Sequence, residues 1–120
     1  MSATDDKIDE QTAIDWTSAY RARVASGSVK AFLIPVADLL GAASEVMNQG
    51  GHPMVRAYLG FDATKNMEKL VIVGTTQDTT TPGNTDYNDM LPSINPNYSI
   101  WDFTLPCPTY CDNNNSPLNQ

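Results

Sequence analysis

Residues 54–75 read MVRAYLGFDATKNMEKLVIVGT, two apolar segments on either side of the polar string DATKN. Branched and aromatic side chains are dense in both segments, and the five residues between them favour a turn. The spacing predicts a β-hairpin with strands over 54–61 and 67–75. In the second segment Leu70, Val71, Ile72 and Val73 run without a polar break. Both faces of that strand are therefore expected to be covered.

The chain N-terminal to the hairpin supplies its cover. Residues 29–34 form a further strand stopped by Pro35, apolar on both faces apart from Lys30, and so expected inside the same sheet. Pro35 suits the first turn of a helix over 35–48, along which Val36, Leu39, Leu40, Ala43, Val46 and Met47 follow the 3.6-residue period. Gly50 and Gly51 then provide a left-handed stop. An earlier helix over 10–24 takes Asp9 as its N-cap and carries Ile8, Trp16, Tyr20 and Val24 on one stripe. Trp16 and Tyr20 read as core residues. A strand–helix–strand unit over 29–61 crosses over right-handed if its strands are parallel.

Beyond Thr75 the composition changes. The string QDTTTPGNTDYND is polar and turn-rich, with neither helical nor strand period, and reads as a long loop. Residues 99–105 form a last extended segment, either an edge strand or a cover over the core, and the ending PCPTYCDNNNSPLNQ is irregular. The fold class is α+β: a three- to four-stranded mixed sheet packed with two helices, with an irregular C-terminal arm. The chain divides into an acidic lead over 1–8, a core over 9–75, a polar loop over 76–97 and a C-terminal segment and tail over 98–120.

Fourteen acidic residues against seven basic ones give a net charge of −7. Arg21 and Arg23 are the only close basic pair, so no cationic patch exists to hold nucleic-acid phosphates or an anionic membrane surface. No apolar run approaches bilayer length. The opening MSATDDKIDEQ has neither the basic start nor the apolar stretch of a secretory signal, which points to the cytoplasm.

Catalytic and cofactor motifs are sparse. Cys107 and Cys111 stand four apart in CPTYC, and three states are open to them: free thiols, a local disulfide, or two ligands of a metal. A metal there needs further ligands, for which His52 and Asp112 are the candidates. His52, the only histidine, sits in GGHPM as a turn residue, with no nucleophile to make a triad. The carboxylate pairs Asp5–Asp6 and Asp9–Glu10 lie at a helix start, where they suit its positive pole. The string GTTQDTTTPG lacks the lysine and the glycine spacing of a phosphate loop, and GFDATKN lacks the acidic density of a calcium loop. No cofactor is expected.

Four stretches resemble segments of a group of small uncharacterised proteins from Bacteroidota-type bacteria: IDEQTAIDWTSAYR, SVKAFLI, VRAYLGFDATKNMEKLVIVG and CPTYCDNNNSPLN. That group typically ends in a CPPxC…LN tail, and the likeness spans most of residues 8–119. This chain departs from it at Thr109, where the group has proline, and in the stretch 78–97. The resemblance implies a bacterial cytoplasmic origin, no established activity, and no functional residue that carries over.

The leading expectation is a non-catalytic protein-interaction or self-assembly subunit. Tyr98, Trp101, Phe103, Tyr110 and Leu118 of the C-terminal third are its interface candidates, because exposed aromatics mark contact surfaces. Beyond Cys107 only Tyr110 and Leu118 are large anchors, so the tail is expected to lie against a neighbour, most simply another copy. The alternatives are a small thiol or metal protein built on CPTYC and a small-ligand-binding domain.

Overall fold

The computed structural model describes residues 6–78, 86–102 and 104–119. In chain order its elements are α1 (Glu10–Arg21), β1 (Ala31–Leu33), α2 (Val36–Val46), β2 (Val55–Asp62), β3 (Met67–Gln77), β4 (Tyr87–Asp89), β5 (Ile100–Trp101) and β6 (Leu105–Cys107). The fold is α+β, and it divides into two compact units: Ile34–Thr104, and Met1–Leu33 together with Leu105–Gln120. Phe103, one of the interface candidates, lies outside the described residues, as do residues 1–5 and 79–85.

The larger unit is built on the expected hairpin. β2 and β3 pair antiparallel from Val55↔Gly74 to Asp62↔Met67. The turn is one residue shorter than DATKN: Asp62 Oδ1 accepts the N–H groups of Thr64 and Lys65 at 3.0 and 3.2 Å, and Asn66 takes the left-handed conformation at φ 51°. β3 is the central strand. Val73 pairs with Arg56 of β2 on one edge and with Ile100 of β5 on the other, and β4 extends that second edge through Thr75↔Asp89. Ile72, Val73, Gly74 and Thr75 are all buried there.

Against this sheet α2 is rotated from its expected orientation. The stripe Val36, Leu39, Leu40 and Met47 faces outward, and the buried stripe is Asp38, Ala42 and Val46. Small residues explain the rotation, since they let the helix approach closely. A Cβ on Gly41 would meet the Trp101 ring at 2.8 Å, and one on Gly74 would meet Val46 Cγ1 at 2.8 Å. Gln49 Nε2 donates to Thr75 O at 2.8 Å and Gln77 Nε2 to Gly50 O at 2.6 Å, tying the end of the helix to β3.

Three further expectations are corrected. Among the described residues every strand pairing is antiparallel, where a mixed sheet was expected. β1 does not join the hairpin: Pro35 stops it after three residues, and it pairs with β6 in a sheet of two strands. The stretch 76–97 is not all loop, because β3 continues to Gln77, β4 pairs with it, and Met90 is buried. A three-residue strand shows no period, so its pairing was invisible in sequence.

In the smaller unit α1 starts at the expected cap. Thr12 N–H donates to Asp9 Oδ1 at 2.7 Å. Thr12, through its side chain and its backbone N–H, holds the Asp9 carboxyl below its ordinary range. The helix ends at Arg21, earlier than expected, with Ala22 as C-cap. None of its residues is buried. Trp16, read as core, is 64% exposed, and Tyr20 and Ile8 are exposed with it.

Candidate interaction surfaces

β2 is the outer strand of the four-stranded sheet, and among the described residues only β3 pairs with it. Thr75 N–H donates to Met54 O at 3.2 Å, so at position 54 the backbone points toward β3. Antiparallel alternation then turns the N–H and C=O of Val55, Ala57, Leu59 and Phe61 to the unpaired edge. Their side chains share the sheet face of Gly74 and Ile72, the face on which α2 packs. The helix covers little of the outer strand. Leu59 is 80% and Phe61 60% exposed, and Leu40 of α2 is 64% exposed. An apolar face next to an unpaired edge is the arrangement that single chains avoid and that associating ones use.

The opposite face carries the charged cluster of this unit. Arg56 on β2 bonds Asp89 on β4 and Tyr87 O at 3.1 Å, and Tyr58 OH donates to the same Asp89 carboxylate. Since β2 and β4 lie on opposite edges of β3, these side chains cross it, roofing Val73, which is 1% exposed. The hydrogen bond to the Asp89 carboxylate holds the Tyr58 phenol above its usual range, because the bond favours the protonated form. The same carboxylate raises Arg56 further. The cluster acts as a brace: its donors and acceptors are turned on one another across the sheet.

In the smaller unit the two cysteines are joined as a Cys107–Cys111 disulfide with Cα atoms 4.7 Å apart, so the free-thiol and metal-ligand alternatives for them give way. Tyr110 N–H donates to Pro106 O at 2.8 Å and folds the intervening loop. A bridge closing so short a loop restricts the unfolded chain by about 2 kcal/mol. Beyond it Asp112 Oδ1 accepts the Asn114 N–H at 2.7 Å, Arg21 bonds Leu118 O, and Lys30 Nζ donates to Asn119 O at 2.8 Å. The tail is thus tied within its own unit, correcting the expectation that two apolar anchors were all it had. Trp16, Thr17, Tyr20, Arg21, Lys30 and Leu118 line an open groove of about 310 Å³ there.

The residues singled out in sequence do not form one site. Trp101 is half-buried against Gly41, serving its own unit as β5. Tyr98 is half-buried in the same unit, its N–H donating to Asn95 O at 2.9 Å. Tyr110 and Leu118 are exposed in the other. His52 is exposed between α2 and β2, where its carbonyl accepts from Tyr87 OH at 3.0 Å. Among the described residues no three His, Cys, Asp or Glu side chains gather as a metal site, and no helix is long and apolar enough to cross a membrane. Sequence reasoning missed β2 as an exposed edge. The signal was present: Arg56 and Gly60 interrupt its apolar residues, whereas β3 has an unbroken run. No protein-family model, curated protein or solved structure matches the chain, so the likeness to small bacterial proteins stands on the quoted segments alone.

Proposed function

We propose that this chain is a non-catalytic self-assembly or protein-interaction subunit whose working surface is the apolar side of the larger unit. The observation that supports this most is the outward set Leu40, Leu59 and Phe61, all at least 60% exposed. Monomeric proteins seldom gather large apolar side chains beside an open strand edge. The polar network around Arg56 and Asp89 supports the same reading, since its donors and acceptors are engaged with one another. The interface is thereby moved from the C-terminal third to the hairpin and α2. Another copy of the chain is the simplest partner, and the acidic balance argues against nucleic acid and anionic membranes.

The test is the mass of the full chain under native conditions over a range of concentrations. An oligomer that forms with concentration is expected, and a monomer at the highest concentration overturns the reading. The cytoplasmic placement expected from MSATDDKIDEQ requires the Cys107–Cys111 bridge to be reduced there. Thiol-blocking at cell lysis checks this. A bridge found intact at that point supports an oxidising compartment instead.

A further inference from the structure

We infer that the Cys107–Cys111 bridge is a thiol-exchange site, opened by a dithiol reductant at the Cys111 sulfur, and that its opening frees the tail over 112–119 while the fold stays in place. The inference is independent of the self-assembly reading.

The position of the bridge carries the argument. It encloses only Pro108, Thr109 and Tyr110. A loop that short removes little freedom from an unfolded chain, so the bridge is a poor staple for the fold as a whole. What it joins is an anchored strand and a weakly held segment. Cys107 ends β6, where it stands opposite Ala31 of β1, and its carbonyl accepts the Lys30 N–H at 2.8 Å. Cys111 begins the tail, in which residues 112–115, Pro117 and Leu118 are exposed. Several bonds of the tail are local: Asp112 Oδ1 accepts the N–H groups of Asn114 and Ser116, and Ser116 Oγ accepts that of Leu118. At its far end Arg21 and Lys30 donate to the carbonyls of Leu118 and Asn119. Both of those bonds lie at the surface, where water competes for the same groups. Opening the bridge therefore leaves β6 paired with β1 and removes the cross-link that fixes where the tail starts.

The two sulfurs differ in access, which sets the direction of attack. Cys107 is 2% exposed, whereas Cys111 is half-buried beside an open groove of about 290 Å³ that Lys30, Tyr110 and Leu118 also line. The Lys30 ammonium favours an approaching thiolate. The adjacent Asp112 carboxylate opposes it, but that charge is partly met by the two N–H groups it accepts. In the first step a reductant thiolate bonds to Cys111 Sγ, and the S–S bond breaks with its electron pair leaving on Cys107. The second thiol of the reductant then gives up its proton, attacks the reductant sulfur in the mixed disulfide and expels Cys111. Two electrons pass from the dithiol to the bridge. The two protons that the dithiol loses end on Cys107 and Cys111, and the reductant leaves as its own disulfide.

Hydrogen exchange of the full chain, oxidised and after dithiothreitol, reads the release. The amides of 112–119 are expected to exchange roughly tenfold or more faster once the bridge is open, while those of β2 and β3 keep their rates. Oxidised chain mixed with glutathione and quenched in acid reads the direction: mass spectrometry should find glutathione on Cys111 and a free thiol at Cys107. Cys111→Ser, which cannot form the bridge, should show the fast-exchanging tail with no reductant present. A tail unchanged by reduction overturns the inference. A loss of protection in β2 and β3 also overturns it, because the bridge would then be a staple for the whole fold, and so does a bridge that reacts only in denaturant. Glutathione found on Cys107 overturns the direction of attack. If Cys111→Ser fails to fold, the reduced wild type decides.

Discussion

The two strands of the hairpin are nearly matched in apolar content, yet they end in opposite environments. β3 buries Ile72, Val73, Gly74 and Thr75 in a continuous stretch, while β2 leaves Val55, Leu59 and Phe61 exposed. Composition does not separate them. Position does: β3 has β2 on one edge, β4 and β5 on the other, α2 on one face and the Arg56–Asp89 brace on the other. β2 has one neighbour and one partly covered face. Burial of an apolar side chain is thus a property of its place in the sheet before it is a property of the residue.

The same charge placed on each strand gives the sharpest contrast. Val73→Asp puts a carboxylate under the brace, and is expected to cost more than about 4 kcal/mol and abolish the folded state. Leu59→Asp puts it in water and is expected to change stability by about 0.5 kcal/mol or less. Urea unfolding followed by circular dichroism reads both, and equal losses would mean that β2 is covered.

The two glycines of the hairpin refine the contrast. Gly74→Ala drives a methyl into Val46 Cγ1 at 2.8 Å and Met90 Sδ at 3.1 Å, which is expected to cost about 1–3 kcal/mol through overpacking. Gly60→Ala meets ordinary contact distances and is expected to be neutral or stabilising by about 0.5 kcal/mol in the isolated chain. Thermal unfolding at low concentration separates the two. A costly Gly60→Ala under those conditions would show that its surface is filled within the chain.

The smallest expected effect lies in the brace, and pH reveals it. The Tyr58 phenol is raised by donating to Asp89. Its contribution to stability is therefore fully present below the ordinary phenol range and is lost as pH rises through the raised folded-state value. Above about pH 10 the wild type should lose stability more steeply than Tyr58→Phe, measured as urea midpoints across the alkaline range. Parallel curves would mean that the hydroxyl contributes nothing across β3.

Much of the architecture was legible because it is local. The Asp9 cap, the hairpin and the α2 segment each rest on residues within one turn or one strand of each other, and each formed within about two residues of expectation, α1 excepted at its C-terminal end. The partner of β5 was open in sequence and is β3, through Ile72↔Trp101. The pairing of β1 with β6 was not legible, since it joins two three-residue strands more than seventy residues apart and one of them contains Pro106. The cysteines show the same boundary. Their spacing permitted a bridge, but only the Tyr110–Pro106 turn brings the two Cα atoms within reach.

The sequence by itself determined the two helices, the hairpin and the net acidic charge, because caps, periodicity, turn residues and net charge act at short range or depend on composition alone. It also limited the cysteines to three states. Only the tertiary structure decided which apolar stripe of α2 is buried, which strand of the hairpin is central, and where the exposed apolar side chains collect. Those outcomes depend on what arrives from a distance. Trp101 reaches Gly41, Val46 reaches Gly74, and Asp89 reaches Arg56 across β3. Burial is a many-body property of packing, and each of these contacts joins residues at least 28 positions apart.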